Sequence, residues 1–235
     1  MGDLQEFTIN QTKISDQVYE YLRGEIISGR LAPGERLDLD RIVEQLKVSK
    51  MPIKEAIGRL AAEGLVDIQS RRGTYVGRVD ARDLAETFEV RRALEMLAGE
   101  LAVRRVSESE LERLRGLIER MEASSEVASH VELNFQFHGL IVELSDNRKL
   151  IEMYERLSVP IQVAGIHYRS EGWLERLEQE QQEHRAIVDA LERRDRDAVA
   201  GAISAHIRRG GASLLDDVER STDIRGSSEV SAGAT

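Results

Sequence analysis

"VSKMPIKEAIGRLAAEGLVDIQSRRGTYVGRV", residues 48–79, changes its periodicity halfway along, and that change decides the fold. In the first half Ile53, Ile57 and Leu60 recur at three- and four-residue spacing, the mark of a helix that buries one face. Ser49 stands at the N-cap position. Pro52 falls in the first turn, where its missing N–H costs nothing, and Gly64 is placed to end the helix. The second half alternates apolar and polar residues on either side of "SRRG", as a two-stranded hairpin does. Lys50, Met51 and Lys54 are left together at the N-terminal end of the helix's exposed side.

Toward the N-terminus, a helix is expected from Ile14 to Ser28, with Val18, Leu22, Ile26 and Ile27 on one side and Gly29 at its end. "LAPGERL" supplies a Pro33-Gly34 turn, and Asp38 is placed to cap a short helix through "LDRIVEQL". Three short helices and a hairpin follow the winged helix-turn-helix order. Residues 1–12 are polar and unpatterned, as in a mobile arm.

From Asp80 onward the spacing is helical in "DLAETFEVRRALEMLAGELAVRRV", "ESELERLRGLIERMEAS", "SHVELNFQFHGLIVEL", "RKLIEMYERLSVPIQVAGIHY", "WLERLEQEQQEHRAIVDALERR" and "RDAVAGAISAHIRRGGASLLDDVE". The expected fold is therefore mainly α. A winged helix-turn-helix domain over residues 1–78 precedes an antiparallel bundle of about six helices over 79–220, and the Ser/Gly/Ala-rich residues 221–235 read as a disordered tail.

Composition agrees with helices: 32% of residues are charged and only 4% aromatic. Residues 1–78 hold 12 basic and 12 acidic side chains, so the net charge of −10 lies wholly in the remainder. An acidic total thus does not argue against nucleic-acid binding, which depends on where cations cluster. With no Cys there are no disulfides and no thiolate chemistry, which suits a reducing cytoplasm. No stretch has the roughly 20 apolar residues of a membrane span, and the N-terminus lacks a signal-peptide pattern.

The N-terminal end of a recognition helix is where base edges are read, and its free N–H groups also favour phosphates. Arg36 and the hairpin-tip residues Arg71 and Arg72 extend the basic edge. Taken singly, each cation reads more readily as a solvated surface charge. The order of the pieces shifts that balance, because "GRLAPGERLDLDRIVEQLKVSKMPIKEAIGRLAAEGLVDIQSRRGTYV" resembles the DNA-binding domain of GntR-family bacterial transcription regulators. The resemblance implies DNA contact by Arg36, Ser49, Lys50, Met51, Lys54, Arg72 and Gly73. Lys50, Met51 and Lys54 stand where the family usually has Arg, Thr and Arg. Lys lacks the planar two-pronged donor that Arg offers guanine, so an altered base preference is expected.

In the bundle, Asn134 and His138 are four apart on one helix face, while His184 and His206 lie on apolar stripes with Val188 and Leu191, and with Val199, Ile203 and Ile207. Inward-facing imidazoles need partners, and either separate hydrogen bonds or a shared divalent cation would serve; spacing alone favours the former. The segment from about Asp80 to Glu219 also resembles the FCD ligand-binding domain found on one GntR branch, through "FEVRRALE", "NFQFH", "SDNRKL", "EHRAIVDALERRD" and the closing A-x-x-x-H. That resemblance implies a metal site of Asn134, His138, His184 and His206, with His130 and His167 as ordinary side chains. Imidazole ligands suit zinc or nickel. The resemblance also places Arg91 in an effector cavity, where a guanidinium can hold the carboxylate of a small organic acid; Arg92 and Glu95 read equally as a surface pair.

The expected function is a ligand-responsive regulator, a repressor, acting as a cytoplasmic homodimer on double-stranded operator DNA. The rival reading is a metal-dependent hydrolase using the three histidines. Against it, "EQQEH" has Glu180 where the protease pattern H-x-x-E-H needs His. A helical scaffold with a protein-binding winged domain is a third, weaker reading.

Overall fold

The computed structural model describes residues 13–169 and 172–232, with side chains described as far as Ser221. The expected N-terminal arm lies outside the described residues. Helix α1 (Ile14–Ile27) buries Val18, Leu22 and Ile26 against α3 (Lys50–Ala62), which presents Ile53, Ile57 and Leu60. Between them lies α2 (Leu39–Leu46), capped as expected: the Asp38 carboxylate accepts from the backbone N–H groups of Asp40 and Arg41. Ser49 occupies the N-cap of α3 but makes no capping bond through its side chain.

The expected hairpin, β2 (Val66–Gln69) and β3 (Gly73–Val76), is present and carries a third strand. β1 (Arg36–Leu37) pairs antiparallel with β3, Arg36 opposite Tyr75, giving the order β1-β3-β2. Two residues are too short to show an alternation, which is why the sequence did not reveal this strand. The pairing brings Arg36 to the wing: a Cβ on Gly73 would stand 3.1 Å from Arg36 Nε, and Gly73 holds φ +126°. A side chain there would be strained as well as crowded.

Six helices follow: α4 (Ala81–Ala102), α5 (Glu108–Glu122), α6 (Val127–Leu144), α7 (Arg148–Tyr168), α8 (Trp173–Glu192) and α9 (Arg196–Ala232). α9 runs further than expected, its backbone helical through most of the segment read as a tail. That segment contains no Pro, and an established helix adds residues cheaply. No helix among the described residues is long and apolar enough to cross a membrane.

Two features position the bundle's interior. The first is a close approach of α4 to α9 at Gly99, where a Cβ would lie 2.5 Å from Ile203 Cδ1 and 2.6 Å from Val199 Cγ1. Gly211 meets Phe88 in the same way, at 2.9 Å. The second is that the winged domain's core is not its own alone. Val159 and Val163 of α7 are buried in it, and His167 donates from Nε2 to the Ile26 carbonyl at 3.0 Å. His167, read from sequence as an ordinary side chain, therefore ties the two units together.

Gly99→Ala is expected to cost about 1–3 kcal/mol through overpacking, whereas Gly116→Ala, with open space around it, should stabilise or leave stability unchanged. Urea denaturation of both variants tests this.

Candidate functional site

His138 of α6, His184 of α8 and His206 of α9 meet in the middle of the bundle, 0%, 0% and 5% exposed. Their potential ligand atoms lie within 4.8 Å of one another, and His138 Nε2 stands 3.1 Å from His206 Nε2. Each Nδ1 faces an acceptor: Glu95 Oε2 at 2.5 Å from His138, Gln181 Oε1 at 3.1 Å from His184, and Glu183 Oε2 at 2.9 Å from His206. Those acceptors fix each ring by holding its Nδ1 proton, which leaves the Nε2 lone pairs pointing inward. His184 Nε2 is buried with no hydrogen-bond partner among the described residues, and so is Asn134 Oδ1; Asn134 lines the adjoining cavity.

Buried acceptors without donors are costly, and a cation held by the three converging imidazoles would answer the orphaned His184 Nε2. Three neutral imidazole nitrogens and an amide oxygen suit a late first-row divalent ion. Two of the imidazoles, His138 and His184, are held neutral, since burial drives His138 down to about 4 despite Glu95 beside it, and drives His184 well below its ordinary value. The structure thus brings His138, His184 and His206 together, and Asn134 shares the lining of the adjoining cavity with His206.

Glu95, Gln181 and Glu183 were not found by sequence reasoning. The i,i+4 spacing of Arg91 and Glu95 was the available signal, and the alternative of a surface pair between Arg92 and Glu95 is overturned by burial. Glu95 is 0% exposed and its Oε1 accepts from Arg91 Nε at 2.5 Å, while Arg92 donates to Ser204 Oγ at 3.3 Å. Burial alone would raise the Glu95 carboxyl, but Arg91 and His138 hold it at about 2. Glu183 repeats the pattern on α9's side: Oε1 accepts from Arg209 Nε at 2.5 Å while Oε2 holds His206, and these partners outweigh burial to keep its pKa low.

Beside the histidines runs a narrow cavity of about 50 Å³ lined by Arg91, Asn134, Phe135, Arg169, Glu180 and His206 among others. Arg91 is among the residues lining this cavity, although its Nε is committed to Glu95. A roomier groove of about 800 Å³ lies over α5, α6 and α7, but it contains none of the histidines. His130, also read as ordinary, is fully buried, with Nε2 3.1 Å from the cavity's Glu180.

On the winged domain, Arg36, Ser49, Lys50, Met51, Lys54, Arg71 and Arg72 are all exposed, and Met51 is 67% exposed despite being apolar. Lys50 Nζ meets Asp40 Oδ1 at 2.6 Å across α2 and α3, an open pair that holds little energy and can exchange for phosphate.

An exposed basic edge on a winged domain, carried by a bundle with an inner polar cavity, is the layout of a transcription regulator. Family comparison agrees: the FCD domain model matches residues 86–209, and the model of bacterial regulatory proteins of the gntR family matches 14–76. The chain belongs to the FCD-bearing branch of the gntR-family DNA-binding transcription regulators, which are not enzymes. It is 31% identical to the HTH-type regulator YdhC of Bacillus subtilis (strain 168), over 81% of this chain and 86% of YdhC. It is 26% identical to the HTH-type transcriptional repressor RspR of Escherichia coli (strain K12), over 93% of this chain and 96% of RspR. The solved structure of E. coli McbR/YncC superposes with a TM-score of 0.76 at 25% identity, covering 88% of this chain and 99% of McbR.

Glu95→Gln keeps the shape but removes the charge that compensates buried Arg91, so it should cost about 3–5 kcal/mol in urea unfolding, against less than about 0.5 kcal/mol for Arg92→Gln.

Proposed function

We propose that this regulator is a repressor that binds operator DNA as a homodimer, and that its bundle holds a divalent cation, zinc or nickel, and a small carboxylate effector. The observation that carries the reading is the convergence of His138, His184 and His206, the last of which shares a cavity lining with Arg91 and with Asn134, whose Oδ1 is buried without a partner among the described residues. His138, His184, His206 and Asn134 would hold the cation. Bound there, it supplies Lewis-acid coordination positions that an acid's oxygen can fill. Arg91 supplies further positive charge on the same wall. The name of RspR as a repressor supports the sign of regulation, and the protein works where its operator is, in the cytoplasm.

For DNA, Lys50, Met51 and Lys54 enter the major groove, with Ser49 beside them and Arg36, Arg72 and Gly73 carrying the wing toward the backbone. A single winged domain gives too small a footprint for a regulator's specificity, and a two-fold pair doubles it. The bundle offers a face for pairing: Val90 and Leu97 of α4 and Met153 of α7 are 45%, 44% and 52% exposed, next to half-buried Leu94 and Ile151. Val90 and Leu97, seven apart and so on one side of α4, give an exposed apolar stripe suited to a second copy.

Three measurements test the reading. Lys50→Ala with Lys54→Ala should weaken operator binding by about 1–3 kcal/mol for each base edge no longer read, in a folded protein; unchanged affinity removes both from the interface. His184→Ala with His206→Ala should abolish zinc binding and effector response while leaving effector-free DNA binding intact, and retention of all three makes the histidines structural. Val90→Glu with Leu97→Glu should sediment as monomer at micromolar concentration, where the parent chain sediments as dimer.

A further inference from the structure

The two arginines that face the histidine cluster are not equivalent. Arg91 is buried inside the bundle and paired to Glu95. Arg209 is paired through Nε to Glu183, but its Nη2 is buried without a hydrogen-bond partner among the described residues. A guanidinium nitrogen stripped of water and left unbonded is costly, and the partner that best answers it is an anionic oxygen.

That nitrogen sits beside the metal-binding cavity. Arg209 lines a small recess with Arg169, Arg176, Glu180, Ser213 and Asp217. This recess shares Arg169, Glu180, Gly210 and Leu214 with the cavity beside the histidines, so the two adjoin across those side chains. Arg209 follows His206 by three residues on α9, and Glu183 bridges the two side chains. Such neighbours stand about 5–6 Å apart at Cβ, the order of the span of a short diacid.

The acids of the recess do not satisfy Arg209. Glu180 is engaged by His130 at 3.1 Å and Arg169 at 3.6 Å, and Asp217 by Arg176 at 2.8 Å and Arg220 at 2.9 Å. Glu183 is shared between His206 and the Nε of Arg209.

We infer that the effector is a short dicarboxylic acid, one carboxylate lying at the cation held by the three histidines and the other received by the Nη2 of Arg209. This rests on the metal-and-carboxylate reading above and adds a second anionic group and the residue that binds it. Arg209 acts as a specificity determinant, because a monocarboxylate of the same length fills the cavity but leaves the guanidinium unanswered.

The test uses the full-length protein saturated with Co²⁺, whose visible bands respond when a carboxylate enters the metal's open positions. Malonate, succinate and malate are titrated against the chain-matched propionate, butyrate and 3-hydroxybutyrate. The parent protein should bind each diacid at least about tenfold tighter than its monoacid partner, the worth of one charge-assisted hydrogen bond. Arg209→Gln should reduce that preference to within about threefold while the monoacids bind as before; Arg209→Lys, which keeps a cation, should retain part of it. If Arg209→Gln does not hold cobalt, the lysine variant and the parent's own preference decide the matter. No preference in the parent protein, or a preference that survives Arg209→Gln, overturns the inference and leaves the proposed function standing. A protein that takes up no cobalt, or whose bands respond to none of the six acids, overturns the metal-and-carboxylate reading itself.

Discussion

An ionised carboxylate sits at 0% exposure in the middle of this bundle, and much of the interior answers to it. Glu95 can be tolerated there only because Arg91 and His138 both hydrogen-bond to it. That requirement fixes the rotamer of Arg91, the tautomer of His138 and hence the direction of the His138 lone pair. It also fixes helix positions, since the three side chains come from α4 and α6 and must converge with His206 from α9. Gly99 and Gly211 admit α9 against α4 closely enough for that convergence.

With the proposed cation in place, the same arrangement would favour an anion beside it. Asn134 would add no charge as a ligand, and the two nearby carboxylates, Glu95 and Glu183, are each matched by an arginine. A divalent cation bound there keeps its full charge within a low-dielectric interior, where an uncompensated charge is costly. An incoming carboxylate would therefore gain from such a metal what water cannot offer so well in a narrow cavity.

The architecture was legible in the sequence because it rests on periodicity. Ile53, Ile57 and Leu60 mark one buried helical face, and the alternation around "SRRG" marks the hairpin. Asp38 as a cap and the inward aspect of His138, His184 and His206 were legible for the same reason. The partners of those histidines were not. Gln181 and Glu183 lie within a run of polar residues on α8, where nothing in the spacing tells a surface glutamate from one that reaches across to α9. Strand β1 was hidden by its length, and the role of His167 was hidden because its acceptor is a backbone carbonyl 141 residues away. Side-chain periodicity reports which way a residue faces, and it carries no record of the neighbour it meets.

Helix α7 belongs to both halves of the protein: Ile161 and Gly165 line the cavity beside His206, while Val159 and Val163 complete the core beneath the helices of the winged domain. The boundary between the two units in the chain is thus not the boundary between them in space. Regulators of this build are often imagined as interchangeable modules, a reading head joined to any sensor. Here a transplanted reading head would leave behind part of its own hydrophobic interior, so recombination that preserves function must carry a matching α7 surface with it. The head and the sensor are constrained to diverge together, along the one helix they share.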